Sequence, residues 1–245
     1  MFSVIYLSSS YIEKGVATFM GMVYLKILGI VGSPHDRFGN TYNLVDRLLT
    51  ESNKMGAETK MVLLQELNIG YCTGCGLCLR EGECPQEDDM KSLVEEMAKS
   101  DGIVLGSPMY YLHVTAQMKT FIDRTLAWGH RPRFQGKYGA SIVVYAGVGY
   151  PESLAEYLNG VLMAWGVTPV GKVCAYAVAP GDLDEESLER ASVLGAELVR
   201  AITEKRIYPE SEDANQVRRM LIDLIRSRRQ LFKADYDFWE RRGWV

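Results

Sequence analysis

The sequence predicts an α/β fold built on a five-stranded parallel sheet with helices on both faces. Near-continuous apolar runs recur at 24–31, 60–65, 102–106, 140–146 and 168–178. The segments between these runs carry apolar residues at helical spacing. Strands that are apolar on both faces are typical of parallel sheets buried between two layers of helices.

The composition is that of an ordinary globular protein. The chain has 245 residues, of which 47% are hydrophobic and 24% are charged, so one sizeable core is expected. The net charge of −4 gives no reason to expect nucleic acid or an anionic membrane as a partner. Four of the five cysteines are clustered, which differs from a secreted disulfide framework and favours a cytoplasmic location.

The first 23 residues form a separate N-terminal extension. They lack the basic start of a signal peptide, and Glu13 and Lys14 interrupt their apolar part. Met20 and Met22 stand just before the first strand, so one of them is the expected natural start, with residues 1–21 upstream of it. The alternative is an arm that packs on a partner subunit. The main domain is then expected over 24–204, and a helical tail over 205–245.

Each predicted strand is followed by a predicted helix with one apolar face. The first helix buries Leu44, Val45, Leu48 and Leu49, and the second, after the acidic run 87–89, buries Met90, Leu93, Val94 and Met97. The third buries Met118, Phe121, Ile122 and Leu126. Further helices are predicted at 152–165 and 184–204, and Cys174 is expected to be a small buried side chain of strand five.

The tail combines an apolar stripe over 217–231 with several arginines and an aromatic end at 232–245. A solvated helix whose stripe docks on the core or on a partner subunit is the favoured interpretation, because charged helix faces are usually solvated. A basic, aromatic surface for nucleic acid is the alternative.

The loop at 128–133, which contains His130, is expected to form a lid or a subunit contact.

The most informative stretch is 71–85, which holds Cys72, Cys75, Cys78 and Cys84 in a C-x2-C-x2-C-x5-C spacing. Two-residue gaps let a tight loop turn successive thiolates toward one centre, and Gly74, Gly76 and Gly82 relieve the backbone there. Four thiolates suit a 4Fe–4S cluster or a tetrahedral zinc ion. The compact run before Cys-Pro is closer to the ferredoxin pattern, which has x3 where this chain has x5.

A polar turn at 32–41 connects the first strand to the first helix. Hydroxyls of Ser33 and Thr41, the amide of Asn40 and free backbone N–H groups could bind a phosphate there, with charge from Arg37. The alternative is an ordinary capped helix start. In parallel sheets, ligands bind beyond the carboxyl ends of the strands, where this turn lies.

Several of these motifs together resemble one family. Gly32-Ser33-Pro34 with Gly39-Asn40-Thr41, and the stretch 107–111 followed by Gln117-Met118-Lys119 and Asp123-Arg124, resemble the NADPH-dependent FMN reductase branch of the flavodoxin-like superfamily. The cysteine stretch between them is similar to that of the iron–sulfur flavoproteins within this branch. The resemblance covers about residues 25–204 and implies the flavodoxin-like strand order 2-1-3-4-5.

The resemblance also implies FMN as a cofactor and a set of residues that contact it. These are Ser33, Arg37, Asn40 and Thr41 at the phosphate, Pro108, Met109, Tyr110 and Tyr111 along the isoalloxazine edge, and Ala146, Gly147 and Gly149 on its other side. It further implies that the four loop cysteines hold a 4Fe–4S cluster near the flavin, and that the protein forms a homodimer or homotetramer.

Three hypotheses for the function follow. The leading one is an oxidoreductase that carries FMN and a 4Fe–4S cluster and exchanges electrons with a carrier such as ferredoxin. The second is a cluster-free FMN or quinone reductase that takes electrons from NAD(P)H. The third is a zinc-stabilised binding module that uses the basic tail to engage a partner. Neither nucleic acid nor a membrane is expected as a partner.

Overall fold

The computed structural model describes residues 25–209 and 212–245, so the predicted extension 1–23 lies outside the described part. Five strands form one sheet: β1 (Lys26–Val31), β2 (Glu58–Leu63), β3 (Gly102–Pro108), β4 (Tyr138–Tyr145) and β5 (Thr168–Tyr176). All neighbouring strands are parallel, in the order β2-β1-β3-β4-β5. The predicted flavodoxin-like α/β fold and its strand order are therefore confirmed.

Helices cover both faces of the sheet. On one face lie α1 (Asn40–Lys54) and α7 (Glu185–Glu204), whose apolar sides share a core with the sheet. The other face carries α3 (Met90–Lys99), α4 (Ala116–Asp123), α5 (Leu126–His130) and α6 (Pro151–Ala164), and its core includes Phe121 and Trp165. The short helix α2 (Leu77–Arg80) lies in the cysteine loop between β2 and α3.

Burial along the strands follows their place in the sheet. All seven residues of the central strand β3 are buried, whereas residues of the edge strand β2 are mostly exposed or half-buried. The prediction for β2 began two residues late, at 60, and ran on to 65. The structure ends this strand at Leu63 and continues with a 3-10 turn over Leu64–Glu66. Cys174 is buried in β5, as predicted.

The prediction of one helix with Leu126 on its buried face is wrong. The structure ends α4 at Asp123 and begins α5 at Leu126, and the Leu126 side chain is exposed. The break turns Arg124 inward, where it forms an ion pair with Asp88. A buried guanidinium needs such a partner, and the chain changes direction after Asp123, where Arg124 reaches Asp88.

The tail contains α8 (Glu212–Ser227) and α9 (Lys233–Glu240). Ile225, Phe232 and Trp239 form a small core of their own, which Leu79 of α2 joins. Val217, Leu224 and Leu231 of the predicted stripe remain exposed. Within the described ranges, no helix has the length and apolar character needed to cross a membrane.

Candidate functional site

A cleft opens at the carboxyl edge of the sheet, beyond the ends of β1, β3, β4 and β5. Its cavity volume is about 130 Å³, and it is open to solvent on one side. Its walls are formed by Ser33, His35, Gly39, Asn40, Thr41, Pro108, Met109, Tyr110, Val144, Tyr145, Ala146, Ala177, Val178, Ala179 and Pro180.

The turn after β1 is held in place by hydrogen bonds to Gly106 and Thr115. The Gly32 N–H donates to the Gly106 carbonyl at 2.8 Å, and the Thr115 hydroxyl donates to the Gly32 carbonyl. The same hydroxyl accepts a hydrogen bond from Met118 N at 3.2 Å, so Thr115 is also the N-cap of α4. The buried Ser33 hydroxyl accepts from His35 N at 3.1 Å. One threonine therefore fixes this turn and starts the helix beside it.

The amino end of α1 faces the same turn. Gly39 precedes the helix, and no side chain caps it. The first N–H groups of a helix have no partner within the helix, so an anion is stabilised there by hydrogen bonds and by the helix dipole. Thr41, in the first turn, is almost fully buried and lines the cleft. These groups fit a phosphate.

Asn40 has a second task that the sequence did not indicate. Its side-chain amide donates to the Ala179 carbonyl at 2.8 Å and accepts from Gly181 N at 2.9 Å. It thereby fastens the turn after β5 across the amino end of α1. This turn supplies one wall of the cleft through Ala177–Pro180.

The turn after β3 is strained. Tyr110 and His113 form an isolated antiparallel β-bridge, in which Tyr110 N donates to the His113 carbonyl at 2.8 Å. Between them, Tyr111 and Leu112 have φ values of 47° and 67°. Such tight turns favour asparagine and glycine at these positions, and other residues adopt them at a cost. Strain of this kind is concentrated at functional sites.

The structure brings seven of the eleven predicted FMN-contacting residues to the walls of the cleft. These seven are Ser33, Asn40, Thr41, Pro108, Met109, Tyr110 and Ala146. Arg37 and Tyr111 are exposed and do not line the cleft. A β-carbon at Gly149 would meet the end of the flexible Met109 side chain, and Gly147 has a φ of 83° in the same turn. The roles of all eleven remain predictions.

His35 lines the cleft and is exposed, whereas the turn after β5 was missed by sequence reasoning. This turn could have been predicted, because the carboxyl end of β5 lies at the same edge of the sheet as those of β1, β3 and β4. Its residues, Ala-Val-Ala-Pro, carry no polar side chain that would have marked them as part of a site.

The cysteine loop leaves the carboxyl end of β2 at the same edge of the sheet. Cys72, Cys75 and Cys84 are exposed, and Cys78 is half-buried. Gly74 and Gly76 have φ values of 67° and 70°, in the left-handed region where a β-carbon is disfavoured. The backbone at these positions therefore favours glycine, and the role of these glycines in wrapping the loop around a metal stays a prediction.

The four thiols are close enough to influence one another. Burial raises the pKa of the Cys78 thiol, and Cys84, Cys72 and Cys75 raise it further, against the opposing effect of Arg131. Across the described residues, however, no three His, Cys, Asp or Glu side chains are arranged to hold a metal ion. The four thiols fit a thiolate-bound cluster by their chemistry, and the glycine-rich backbone permits the sulfurs to converge.

The base of the loop is closed by a buried ion pair. Arg124 Nη1 lies 2.5 Å from Asp88 Oδ2 and donates to the Gly70 carbonyl at 2.8 Å, while Gly70 N donates to Asp88 at 3.0 Å. The side chains of Arg124 and Asp88 are 1% and 8% exposed. Burial acts to raise the pKa of Asp88, but hydrogen bonds from Arg124 and from Gly70 and Met90 outweigh it and hold this pKa below its usual range.

Helix α4 connects the cleft to the cysteine loop. Thr115 at its amino end holds the turn after β1, and Arg124 at its carboxyl end holds Gly70. Its eight residues span about 12 Å at 1.5 Å per residue. The two candidate sites are therefore built on opposite ends of one short helix.

The fold and the cleft together define a flavodoxin-like α/β protein. Residues 25–180 match the model of the NADPH-dependent FMN reductase family, and the chain belongs to this family. It is therefore an oxidoreductase.

Two relatives extend the likeness beyond the matched domain. An iron–sulfur flavoprotein of Archaeoglobus fulgidus is 48% identical over 90% of this chain and 100% of its own length. An iron–sulfur flavoprotein of Methanocaldococcus jannaschii is 33% identical over 73% of this chain and 99% of its own. An FMN-dependent NADH-azoreductase of Bacillus anthracis, solved in complex with FMN, shares the fold with a TM-score of 0.54, at 13% identity over 71% of this chain and 99% of its own.

Proposed function

We propose that the chain binds FMN in the cleft and a 4Fe–4S cluster on Cys72, Cys75, Cys78 and Cys84, and that it transfers electrons between them and an external carrier. The carrier is a ferredoxin-like protein or NAD(P)H. FMN exchanges one or two electrons and a cluster exchanges one at a time, so the pair would link two-electron and one-electron chemistry.

One observation carries the proposal. The four cysteines lie on one loop at the sheet edge that also holds the cleft, and α4 contacts both. Two kinds of similarity support it: the family is described by its use of FMN, and the relative that is 48% identical over its whole length is named an iron–sulfur flavoprotein.

The residues of the chain then divide the work. Ser33, Thr41 and the first N–H groups of α1 would bind the FMN phosphate, while Thr115 holds their turn in place. Met109 and Val178 would supply apolar walls beside the ring. Arg124 and Asp88 hold the base of the cysteine loop.

Cofactor analysis of the full chain tests the proposal. Protein prepared and reconstituted without oxygen is expected to contain flavin, iron and acid-labile sulfide, and dithionite should bleach both the flavin and the broad cluster absorption. Cys75→Ser and Cys84→Ser are expected to lose iron and keep flavin. Cys174→Ala is the matched control, because this buried cysteine lies in β5, and it should keep both. Flavin without iron in the reconstituted wild type contradicts the proposal.

A second candidate is a cluster-free reductase that uses NAD(P)H. The family description favours it, since it names NADPH as the reductant. It predicts rapid flavin reduction by NAD(P)H and unchanged activity in Cys75→Ser. Loss of electron transfer to a one-electron acceptor in that variant, with flavin still bound, separates the two candidates. A zinc-stabilised binding module disagrees with membership of a family that is described as reductases.

A homodimer or homotetramer is part of the proposal. The rim of the cleft exposes large apolar side chains, among them Phe38, Tyr111, Val148 and Tyr150. Contiguous exposed apolar surface often marks a protein interface. Sedimentation of the full chain measures the subunit number.

A further inference from the structure

Asp235 in helix α9 is a fully buried carboxylate far along the chain from the sheet and the cysteine loop. Its Oδ2 lies 2.8 Å from His130 Nδ1. Its Oδ1 lies 2.9 Å from Arg131 Nε; this contact is an ion pair without the geometry of a hydrogen bond. Burying a carboxylate is costly unless charged or polar partners compensate it. The tail therefore places a negative charge directly against the end of α5.

Arg131 carries this contact onward to the cysteine loop. Its Nη2 donates to the Cys78 carbonyl at 2.6 Å and to the Gly82 carbonyl at 3.0 Å. These carbonyls belong to Cys78 itself and to the segment between Cys78 and Cys84. One guanidinium thus joins the carboxylate of the tail to the backbone of the loop, and charge-assisted hydrogen bonds of this kind are stronger than neutral ones.

Packing around the ion pair fixes α9 in this position. Trp239 Nε1 donates to the His130 carbonyl at 2.5 Å, and the rings of His130 and Phe232 are 5.5 Å apart. Leu79 of α2 packs into the core formed by Ile225, Phe232 and Trp239. The region containing His130 is therefore a docking surface for the tail of the same chain, where a lid or subunit contact was expected.

We propose that Asp235 is a positioning residue for the cysteine loop. By fixing the orientation of Arg131, it holds the backbone at Cys78 and Gly82 so that Cys78 and Cys84 face one centre. The inference rests on the proposed function, in which these cysteines hold a cluster. Residues that orient metal ligands in this way typically affect metal retention by about 10–100-fold.

Asp235→Asn tests the role, and Asp237→Asn is the matched control. Asp237 lies on the same helix but pairs with Lys233 at the surface, 2.6 Å away. In the protein without metal, Asp235→Asn is expected to speed amide hydrogen exchange over 77–83. In the reconstituted protein it is expected to speed iron loss to a chelator by about 10–100-fold and to change the EPR spectrum of the reduced cluster. Asp237→Asn should match the wild type in all three measurements.

The outcomes separate this inference from the proposed function. A wild type that takes up no iron contradicts the proposed function, while hydrogen exchange over 77–83 still tests the contact itself. A wild type that holds a cluster, with Asp235→Asn equal to Asp237→Asn in exchange and iron loss, overturns the inference.

Circular dichroism and limited proteolysis after α7 report whether the tail remains folded in Asp235→Asn. If it does not, Arg131→Lys decides the matter, because lysine keeps the charge beside Asp235 but lacks the planar fork that reaches both the carboxylate and the loop carbonyls. Faster iron loss in that variant supports the inference, and an unchanged rate overturns it.

Discussion

Replacing Arg124 by methionine should destabilise the protein strongly and in a pH-dependent way. The change removes both contacts to Asp88 and the bond to the Gly70 carbonyl, and it leaves a buried carboxylate without its cation. Removing one partner of a buried pair costs about 3–5 kcal/mol. Asp88 retains hydrogen bonds from Gly70 N and Met90 N, so the lower end, about 3 kcal/mol, is expected.

Thermal unfolding measures this effect. At about 2–4 °C per kcal/mol for a chain of this size, the midpoint should fall by roughly 6–12 °C near neutral pH. Asp123→Asn is the control, because Asp123 pairs with Lys119 at the surface, where such a pair contributes about 0.5 kcal/mol or less.

The pH dependence follows from the lowered pKa of Asp88. A carboxyl whose pKa is lower in the folded state stabilises the fold fully above its unfolded-state pKa of about 3.9, and this stabilisation is lost as the pH falls through the folded-state value. The difference between wild type and Arg124→Met should therefore shrink below about pH 4. A loss under about 1 kcal/mol, or a difference that stays constant into acid, refutes the assigned role of this ion pair.

Three further predictions concern other parts of the site. Thr115→Val should lower the unfolding free energy by about 1 kcal/mol, because the helix loses its N-cap. It should also weaken FMN binding, measured by fluorescence titration, because the turn at Gly32 loses the hydrogen bond that supports it. Unchanged stability and affinity contradict this prediction. Tyr111→Asn should raise stability in denaturant by about 1 kcal/mol, since asparagine tolerates positive φ, while weakening FMN binding if the predicted flavin contact is correct. Burial raises the pKa of Cys174 to about 12, so alkylation near pH 8 should spare it and modify Cys72, Cys75 and Cys84 in the metal-free protein; fast labelling of Cys174 in folded protein contradicts this.

The sheet was predictable because strands buried on both faces are apolar along their whole length. β1, β3 and β4 therefore stand out in the sequence, and the resemblance supplied their order. The start of the edge strand β2 was predicted two residues late, where its exposed side carries glutamate and lysine. The start of the buried strand β4 was also predicted two residues late, at 140 where the structure has Tyr138.

The site was predictable where local chemistry marks it. Cysteine spacing and the glycines of the loop identify that segment by themselves. The contacts that hold it do not appear in any local pattern, because Asp88 meets Arg124 and Asp235 meets Arg131 across 36 and 104 positions of the chain. Arg124 occupies a position where helical periodicity predicts continuation, and in the structure the helix ends there, where Arg124 pairs with Asp88.

The position of Asp235 has a consequence for how the protein is made. Cys84 precedes Asp235 by 151 residues, so the ribosome delivers all four cysteines and all five strands well before the carboxylate that secures them. Domains fold during synthesis from the amino end. The sheet and the cysteine loop can therefore assemble before α9 docks, whereas the contact between Asp235 and Arg131 can form only afterwards. A nonsense mutation before Lys233 would leave every strand in place and yet yield a chain that lacks the contact of Asp235 with Arg131.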